Sequence, residues 1–185
     1  MKVLVVDNHT KDLKELCSMF SDFVVVDKEK FESFPSKENF NLVVFSGGTN
    51  VPTVLRHPEE YEAEINFVKS TKIPVVGICL GFEIIAYAFG GKLKEIRRDK
   101  SKIVELNIVD KSLKEIFKQK NIRVYESHFI GIENVPKDFN LLANSSHGVE
   151  IMEHKDRPIL AIQFHPEKTE NNIKFVNLIK GMTGF

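Results

Sequence analysis

The stretch KIPVVGICLGFEIIAYAFGGKL, residues 72–93, joins a β-branched apolar run to an apolar pattern of helical period. Its first part predicts a buried strand, and its second part predicts a helix that ends at glycine. Cys79 lies at the joint, between Gly77 and Gly81. A turn of the form G-x-nucleophile-x-G holds a side chain on a sharp bend, and its glycines let the flanking elements approach closely. The stretch therefore predicts a strand, turn and helix unit with a nucleophile at the turn.

Strand-like and helix-like segments alternate on the N-terminal side of this unit. Short apolar runs predict strands and apolar residues at helical spacing predict helices: the strands are VLVV (3–6), FVVV (23–26) and NLVVFSGG (41–48), and the helices are 11–20 and 58–70. Strands that alternate with helices are typical of a doubly wound, mainly parallel sheet.

The C-terminal half has a different pattern. Apolar and polar residues alternate between turn signals, which predicts strands of mostly antiparallel pairing at 101–109, 123–128, 141–146, 149–155 and 159–165. An amphipathic helix at 171–182 closes the chain. Because no linker or repeat interrupts these segments, we expect residues 1–185 to form a single α/β domain. It has a mainly parallel central sheet and an added antiparallel sheet in the C-terminal half.

Composition excludes several functional classes. The 26 basic residues balance 26 acidic ones, so no excess of positive charge indicates nucleic acid or an anionic membrane surface. The two cysteines make no disulfide framework, and no CxxC pair indicates a zinc site, so we expect no metal and a reduced, cytoplasmic setting. The apolar run near the N-terminus is too short for a signal peptide or a membrane span.

Three predicted strands end in residues that suit nucleophilic catalysis. In open α/β sheets, reactive groups collect beyond the carboxyl ends of the strands. One strand ends in SGG (46–48), one in Cys79, and the last in FHPE, which contains His165 and Glu167. The N-terminus of the following helix favours the thiolate form of a cysteine at the turn. Cys79 as nucleophile, His165 as base and Glu167 as orienting acid form a triad.

The motifs FSGG, GICLGFE, GGKL and AIQFHPE, in this order and spacing, resemble the class I (triad) glutamine amidotransferases over nearly the whole chain. The resemblance implies a flavodoxin-like fold and a glutaminase. Cys79 would attack the side-chain amide of glutamine, His165 would protonate the departing ammonia, and Glu167 would orient His165. The glutamyl thioester on Cys79 would then be hydrolysed to glutamate.

The same resemblance implies roles for residues around the triad. Backbone N–H groups of Gly48 and Leu80 would form the oxyanion hole. The implied glutamine-binding residues are Gly47, Glu83, Ser127, Phe129 and Ile130. Glu83 departs from the family pattern, which has glutamine at this position. A carboxylate there changes both the charge and the hydrogen-bonding pattern, so Glu83 either pairs with the substrate ammonium or weakens substrate binding.

The segment VYESHFIGIENVP (124–136) is similar to the separate glutaminase subunit of archaeal-type GMP synthetase. That likeness implies that the chain supplies ammonia to a separate ATP pyrophosphatase subunit, which converts XMP to GMP. ATP and Mg²⁺ would be needed only on that partner, and the glutaminase half-reaction needs no cofactor. The relatives carry an Asp soon after the Ser-His pair, whereas here the next acid is Glu133, which leaves the pathway open.

Three other functions are not excluded by the motifs. The chain is compatible with a glutaminase of another pathway, with a γ-glutamyl hydrolase, or with a non-catalytic regulator on the same fold. A phosphoacceptor receiver domain is disfavoured, because Asp7 is followed by Asn8 rather than by a second acid. Of the remaining candidates, Cys17 lies on a helical apolar stripe, which predicts a core position. His147 fits a turn, and the charged stretch 92–102 is a candidate docking surface.

Overall fold

The computed structural model describes residues 1–96, 103–170 and 172–183. Its strands are β1 Val3–Asn8, β2 Phe23–Asp27, β3 Leu42–Gly48, β4 Val75–Ile78, β5 Leu93–Glu95, β6 Ile103–Ile108, β7 Asn121–Tyr125, β8 Ile130–Ile132, β9 Phe139–Ser145, β10 Gly148–His154 and β11 Ile159–Ile162. Its helices are α1 Leu13–Cys17, α2 Lys28–Phe31, α3 Glu62–Ser70, α4 Leu80–Ala88, α5 Lys111–Phe117 and α6 Asn172–Thr183.

Nine strands in the described ranges form one sheet in the order β2-β1-β3-β4-β11-β10-β9-β6-β7. The first five of these pair in parallel, and the remaining pairings are antiparallel. The predicted α/β class with a mainly parallel central sheet and added antiparallel strands is confirmed. The antiparallel strands continue the parallel sheet, while β5 and β8 pair separately as a two-stranded antiparallel sheet.

The position of β4 in this order assembles the site. It lies between β3 and β11, in parallel with both. The carboxyl ends of the three strands therefore meet at one edge of the sheet. SGG (46–48) ends β3, Cys79 follows β4, and His165 and Glu167 lie beyond β11. The chain comes together there although β4 and β11 are far apart in sequence.

Apolar side chains of the central strands alternate between the two faces of the sheet, as their pleat requires. Leu4 and Val6 of β1 belong to one buried layer, which α3 and α4 cover. Val3 and Val5 belong to the other, and there they pack in the same core as α5 and α6. Cys17 is buried in this second layer, in agreement with the helical stripe on which it lies.

Several predicted boundaries were too wide. The helix predicted at 11–20 is limited to Leu13–Cys17, and the segment 58–70 begins as a 3-10 turn, Pro58–Tyr61, before α3. The strand predicted at 159–165 ends at Ile162, so His165 lies beyond it in a loop. The short elements α2, β5, α5 and β8 were not predicted. Of the predicted segments, positions 97–102 and 171 lie outside the described residues.

Helix α5 shows a signal that the sequence analysis overlooked. Asp110 precedes the helix with an extended backbone, and its side chain accepts a hydrogen bond of 2.8 Å from the Leu113 N–H. An aspartate in this position is a preferred N-cap, because it satisfies one of the N–H groups that a helix leaves without a partner.

No helix in the described ranges combines the length and apolarity needed to cross a membrane.

The turn at Cys79 between β4 and α4 is here called the elbow. Its two glycines, Gly77 and Gly81, allow a contact between backbones that no other residue permits. A Cβ atom at Gly77 would lie 2.3 Å from the carbonyl oxygen of Gly81, and one at Gly81 would lie 2.4 Å from the carbonyl oxygen of Phe45. Backbone atoms cannot move aside as the end of a flexible side chain does. The close packing of α4 against β3 and β4 therefore depends on both glycines.

We expect Gly77→Ala to lower the free energy of unfolding by at least ~2 kcal/mol, because the added methyl group forces α4 away from the sheet. Denaturant unfolding measures the change. Gly181→Ala is the matched control: it is an exposed position of α6 with no atom within 4 Å of the added methyl group. There we expect a gain of up to ~1 kcal/mol from helix propensity. Equal effects of the two substitutions would contradict this account.

Candidate active site

The backbone at Cys79 has the bent conformation that the sequence predicts. Its φ is 53° and its ψ is −100°, immediately before the first residue of α4. A positive φ is uncommon for a residue other than glycine, and such a conformation persists only where its surroundings hold it. Here the Cys79 N–H donates a 2.8 Å hydrogen bond to the Ile162 carbonyl of β11. The thiol is therefore fixed at the carboxyl edge of the sheet, with the cysteine 5% exposed.

His165 is held beside Cys79 by contacts on every side. Its backbone N–H donates to the Tyr125 carbonyl at 2.9 Å, and its own carbonyl accepts from Thr169 Oγ1 at 2.9 Å. The ring Nδ1 lies 2.7 Å from Glu167 Oε1, and the side chain also hydrogen bonds with Cys79. Because Nδ1 donates to the carboxylate, Nε2 remains for the sulfur. The three side chains thus form a continuous Cys, His and Glu series.

The charges of this series favour a protonated imidazole. Burial by itself lowers the pKa of His165, but the Cys79 thiolate and its hydrogen bond, followed by Glu167, outweigh burial and raise the pKa to about 10. A thiolate beside an imidazolium is the form that a cysteine nucleophile needs, since the thiolate attacks and the imidazolium supplies a proton to the leaving group.

Removing the thiolate should lower the pKa of His165. We expect Cys79→Ser to shift the midpoint of its ring titration downwards by at least ~1 unit, because the largest stabilisation of the imidazolium is lost. NMR titration of the His165 ring measures this midpoint in both proteins. The His154 ring, which packs against Phe89 and Phe139, serves as the internal control. An unchanged His165 midpoint would show that Cys79 does not carry the negative charge.

A cavity of about 370 Å³ opens in front of the sulfur. Cys79 and His165 both line it, and so do six of the residues predicted to surround the reaction: Gly48, Leu80, Glu83, Ser127, Phe129 and Ile130. A cavity of this size accommodates a small amino acid. The structure therefore brings together the predicted nucleophile, the predicted base and most of the predicted binding residues around one space.

Gly47 and Glu167 lie behind the cavity wall. Glu167 contacts the far side of the His165 ring, with its side chain 2% exposed. A Cβ atom at Gly47 would lie 3.2 Å from His165 Cε1 and 3.5 Å from Cys79 Cβ. Gly47 thus sets how closely the end of β3 approaches the reactive pair, which is a different position from the substrate contact that the sequence analysis expected.

Gly48, the last residue of β3, lies next to Leu80, the first residue of α4. A Cβ atom at Gly48 would lie 2.5 Å from Leu80 Cδ2 and 2.5 Å from Val51 Cγ2, so a larger residue at this position would require these two side chains to shift. Leu80 is the first residue of α4, where N–H groups have no partner within the helix. This geometry suits the binding of a developing oxyanion beside Cys79.

Glu83 is buried in the first turn of α4 and is 4% exposed. One of its oxygens accepts from the Val54 N–H, whereas Oε2 has no hydrogen-bond partner in the described part of the chain. Burial raises the pKa of Glu83 to about 8, although the Val54 hydrogen bond opposes this. The sequence analysis treated Glu83 as a charged group. Its raised pKa favours the neutral acid at neutral pH, in which one oxygen can donate and the other can accept.

The KM for glutamine should respond to ionisation of Glu83. We expect Glu83→Gln to leave KM within ~3-fold of the parent at pH 7, since the two side chains match in shape and hydrogen bonding. At pH 9 the parent should bind glutamine at least ~5-fold more weakly than the variant, because most of its Glu83 is then ionised. The ratio of the two KM values at each pH cancels titrations common to both proteins. A ratio that stays constant from pH 7 to 9 would show that Glu83 does not ionise in this range.

A second group of ionisable side chains lies next to the cavity. Glu126, His128 and Glu150, here called the carboxylate–histidine cluster, are 1%, 4% and 0% exposed. His128 also lines the cavity. The sequence analysis did not assign these residues a role. One signal was present: Glu150 occupies an inward position of β10, where an apolar residue would be expected.

His147 has a further role besides its position in a turn. Its Nδ1 lies 2.8 Å from Glu126 Oε2, which connects the β9–β10 turn to the segment that follows β7. His9, by contrast, pairs with Glu29 at the surface, and both side chains are about half exposed.

Comparison with known proteins identifies the family. The profile of the class I glutamine amidotransferases matches residues 3–178. The glutamine-hydrolysing GMP synthase subunit of Pyrococcus furiosus is 37% identical in an alignment of 134 positions that covers 68% of this chain; the chain spans 65% of the length of that relative. The protein of the same name from Sulfolobus acidocaldarius is 33% identical in an alignment of 179 positions that covers 94% of this chain and 92% of that protein.

Solved structures agree with this assignment. A protein from Thermoplasma acidophilum, described as the corresponding GMP synthase subunit, superposes with a TM-score of 0.84 at 26% identity, covering 100% of this chain and 94% of the other. A glutamine amidotransferase from Thermotoga maritima has the same fold, with a TM-score of 0.73 at 19% identity over 98% of this chain and 83% of the other. With the family profile spanning the sheet and the triad alike, this chain belongs to the class I glutamine amidotransferases.

Proposed function

We propose that the chain is a glutaminase that hydrolyses glutamine to glutamate and ammonia. The observation that carries this proposal is the Cys79, His165 and Glu167 series at the edge of a 370 Å³ cavity. A bent nucleophile, a base hydrogen bonded to it and an acid that orients the base are the parts that acyl transfer requires. We extend the proposal to residues 1–185 as a single glutaminase domain.

The reaction proceeds in two halves. The Cys79 thiolate attacks the side-chain carbonyl carbon of glutamine, and the N–H groups of Gly48 and Leu80 stabilise the oxyanion that forms. The carbon–nitrogen bond breaks as His165 donates its proton to the departing nitrogen, which leaves as ammonia. A glutamyl thioester remains on Cys79. His165 then accepts a proton from water, and the resulting hydroxide attacks the thioester to release glutamate and restore the thiolate.

Residues in the walls of the cavity bind the substrate. Ser127, Phe129 and Ile130 lie on the segment that faces the elbow, where their backbone groups can contact the α-carboxylate and the α-ammonium of glutamine. Glu83 contacts the substrate as a neutral acid, and its Oε2 is the group that is free of other hydrogen bonds. Gly47 acts indirectly, by setting the position of His165 and Cys79.

The ammonia is used by a separate ATP-dependent synthase subunit, which converts XMP to GMP in the cytoplasm. The support for this pathway is that curated relatives of this chain are named as glutamine-hydrolysing subunits of GMP synthase. The sequence left three alternatives open. One of them, a non-catalytic regulator, has no support from the triad geometry, which is retained.

Two measurements test the proposal in sequence. Glutamate release from glutamine tests the glutaminase activity, with γ-glutamyl peptides as competing substrates. A preference for the peptides would show that the protein is a γ-glutamyl hydrolase instead. The pathway is then tested by mixing the chain with the ATP pyrophosphatase subunit encoded in the same genome, XMP, ATP and glutamine. We expect GMP to form from glutamine only when both chains are present, and from ammonium salts with the partner alone. Glutaminase activity without GMP formation would support the proposed activity and exclude the proposed pathway.

A further inference from the structure

The carboxylate–histidine cluster lies beside the catalytic cavity and takes no part in the proposed reaction. Its members, Glu126, His128 and Glu150, come from the segment between β7 and β8 and from strand β10. One ligand atom of each lies within 4.8 Å of the others. All three side chains are more than nine-tenths buried. Three groups that commonly bind metals are therefore collected in a small space away from bulk water.

Each member of the cluster is oriented by a hydrogen bond on its outer side. His128 Nδ1 donates to the Ile130 carbonyl at 2.9 Å. Glu126 Oε2 lies 2.8 Å from His147 Nδ1, and Glu150 Oε1 accepts from Ser145 Oγ at 2.7 Å. Metal-binding histidines and carboxylates are oriented by outer hydrogen bonds of this kind, which fix the ring tautomer and the direction of each ligand.

The inner atoms of the cluster have no hydrogen-bond partner in the described part of the chain. These atoms are Glu126 Oε1, His128 Nε2 and Glu150 Oε2. Since a carbonyl oxygen only accepts, His128 donates to Ile130 from Nδ1, and its Nε2 stands 3.5 Å from Glu126 Oε2. Glu126 pairs with His128 and His147, and no Lys or Arg in the described ranges pairs with either carboxylate. Glu126 and Glu150 also share a side-chain hydrogen bond, so these buried acceptor atoms need a proton or a metal ion between them.

We propose that Glu126, His128 and Glu150 bind a divalent transition-metal ion of the Zn²⁺ class. The imidazole and carboxylate ligands match the preference of such ions, and two carboxylates balance a charge of +2. The sequence analysis expected no metal, because it searched for cysteine pairs, whereas these ligands are contributed by distant parts of the chain. The ion would join strand β10 to the segment that contains Ser127 and Ile130, and so would stabilise one wall of the cavity.

Protons are the competing occupants of this space. Burial, followed by the negative charge of Glu126, raises the pKa of Glu150 well above its usual range. Imidazole and carboxylate groups bind a metal ion in their deprotonated forms, so the affinity for the metal should decrease as the pH falls.

The binding test uses full-length Cys79→Ala protein, so that the catalytic thiol cannot bind the ion. We expect ZnCl₂ to bind at one equivalent in isothermal titration calorimetry at pH 7.5. At saturation it should raise the Tm by roughly 5 °C, and EDTA should reverse the shift. Co²⁺ in place of Zn²⁺ should give the visible absorption of a low-symmetry protein site. The absence of both binding heat and a Tm shift at millimolar ZnCl₂ would overturn the proposal, and the cluster would then hold only protons.

Substitutions assign the binding to these residues. We expect Glu150→Gln and His128→Gln, each in the Cys79→Ala protein, to weaken Zn²⁺ binding at least ~10-fold by removing one ligand each. Glu64→Gln is the matched control, because Glu64 is 1% exposed and also has an oxygen without a partner, yet it lies on α3 outside the cluster. If all three variants bound Zn²⁺ as the parent does, the ion would occupy another site and the proposal would be wrong. Two substituted ligands give the answer even if one of the variants fails to fold.

Discussion

Cys79→Ala should lower kcat for glutamine hydrolysis by at least ~10³-fold, because no other group at the cavity can form the thioester. Steady-state glutamate release measures the loss. The thiol is the only group removed, and the positive φ of residue 79 remains. Glutamine should therefore still bind, and isothermal titration calorimetry of the variant should detect it.

Cys17→Ala is the control for this experiment. Cys17 is buried in the layer that lies against β1 and α1, away from the cavity. We expect its replacement to cost some stability through the loss of buried sulfur and to leave kcat within ~2-fold of the parent. If Cys17→Ala removed the activity and Cys79→Ala retained it, the assignment of the nucleophile would be wrong.

His165→Ala should have an effect of similar size, at least ~10³-fold on kcat, because both the stabilisation of the thiolate and the proton for ammonia are lost. The dependence on pH should change as well. In the parent, activity falls at alkaline pH as the imidazolium, with its raised pKa of about 10, loses its proton. The residual activity of His165→Ala should lack the alkaline decline.

His57→Ala provides the matched histidine control. The His57 side chain is 53% exposed and pairs with Glu59 at the surface. We expect unchanged glutamate release in this variant. Near-normal turnover by His165→Ala, measured alongside it, would exclude the triad and leave Cys79 acting with another base.

The elbow could be predicted because its signals are local. The change from a strand-like to a helix-like pattern at Cys79 is contained in about twenty residues, and Gly77 and Gly81 indicate a close contact of backbones. The structure shows this contact at 2.3 Å and 2.4 Å. Since neither feature depends on distant residues, the sequence is sufficient to predict them.

Two very short strands with distant partners were not predicted. Strands β5 and β8 have three residues each, and they are strands only because they pair with each other across a large separation in sequence. Three residues are too few to show the alternation that predicts a strand. The end of β11 shows the same limitation: the apolar pattern continues to Phe164, but pairing ends at Ile162, and the loop that follows places His165 against Cys79.

The sequence by itself predicted the candidate reactive groups, and it was sufficient for the order of most strands and helices along the chain and for the family. Only the tertiary structure decided the raised pKa of Glu83 and the existence of the carboxylate–histidine cluster. The physical reason is the same for both. A pKa depends on burial and on nearby charges, and a metal site depends on which side chains meet; Glu126 and Glu150 meet only when β10 lies in the sheet. Neither property is contained in a local pattern of residues.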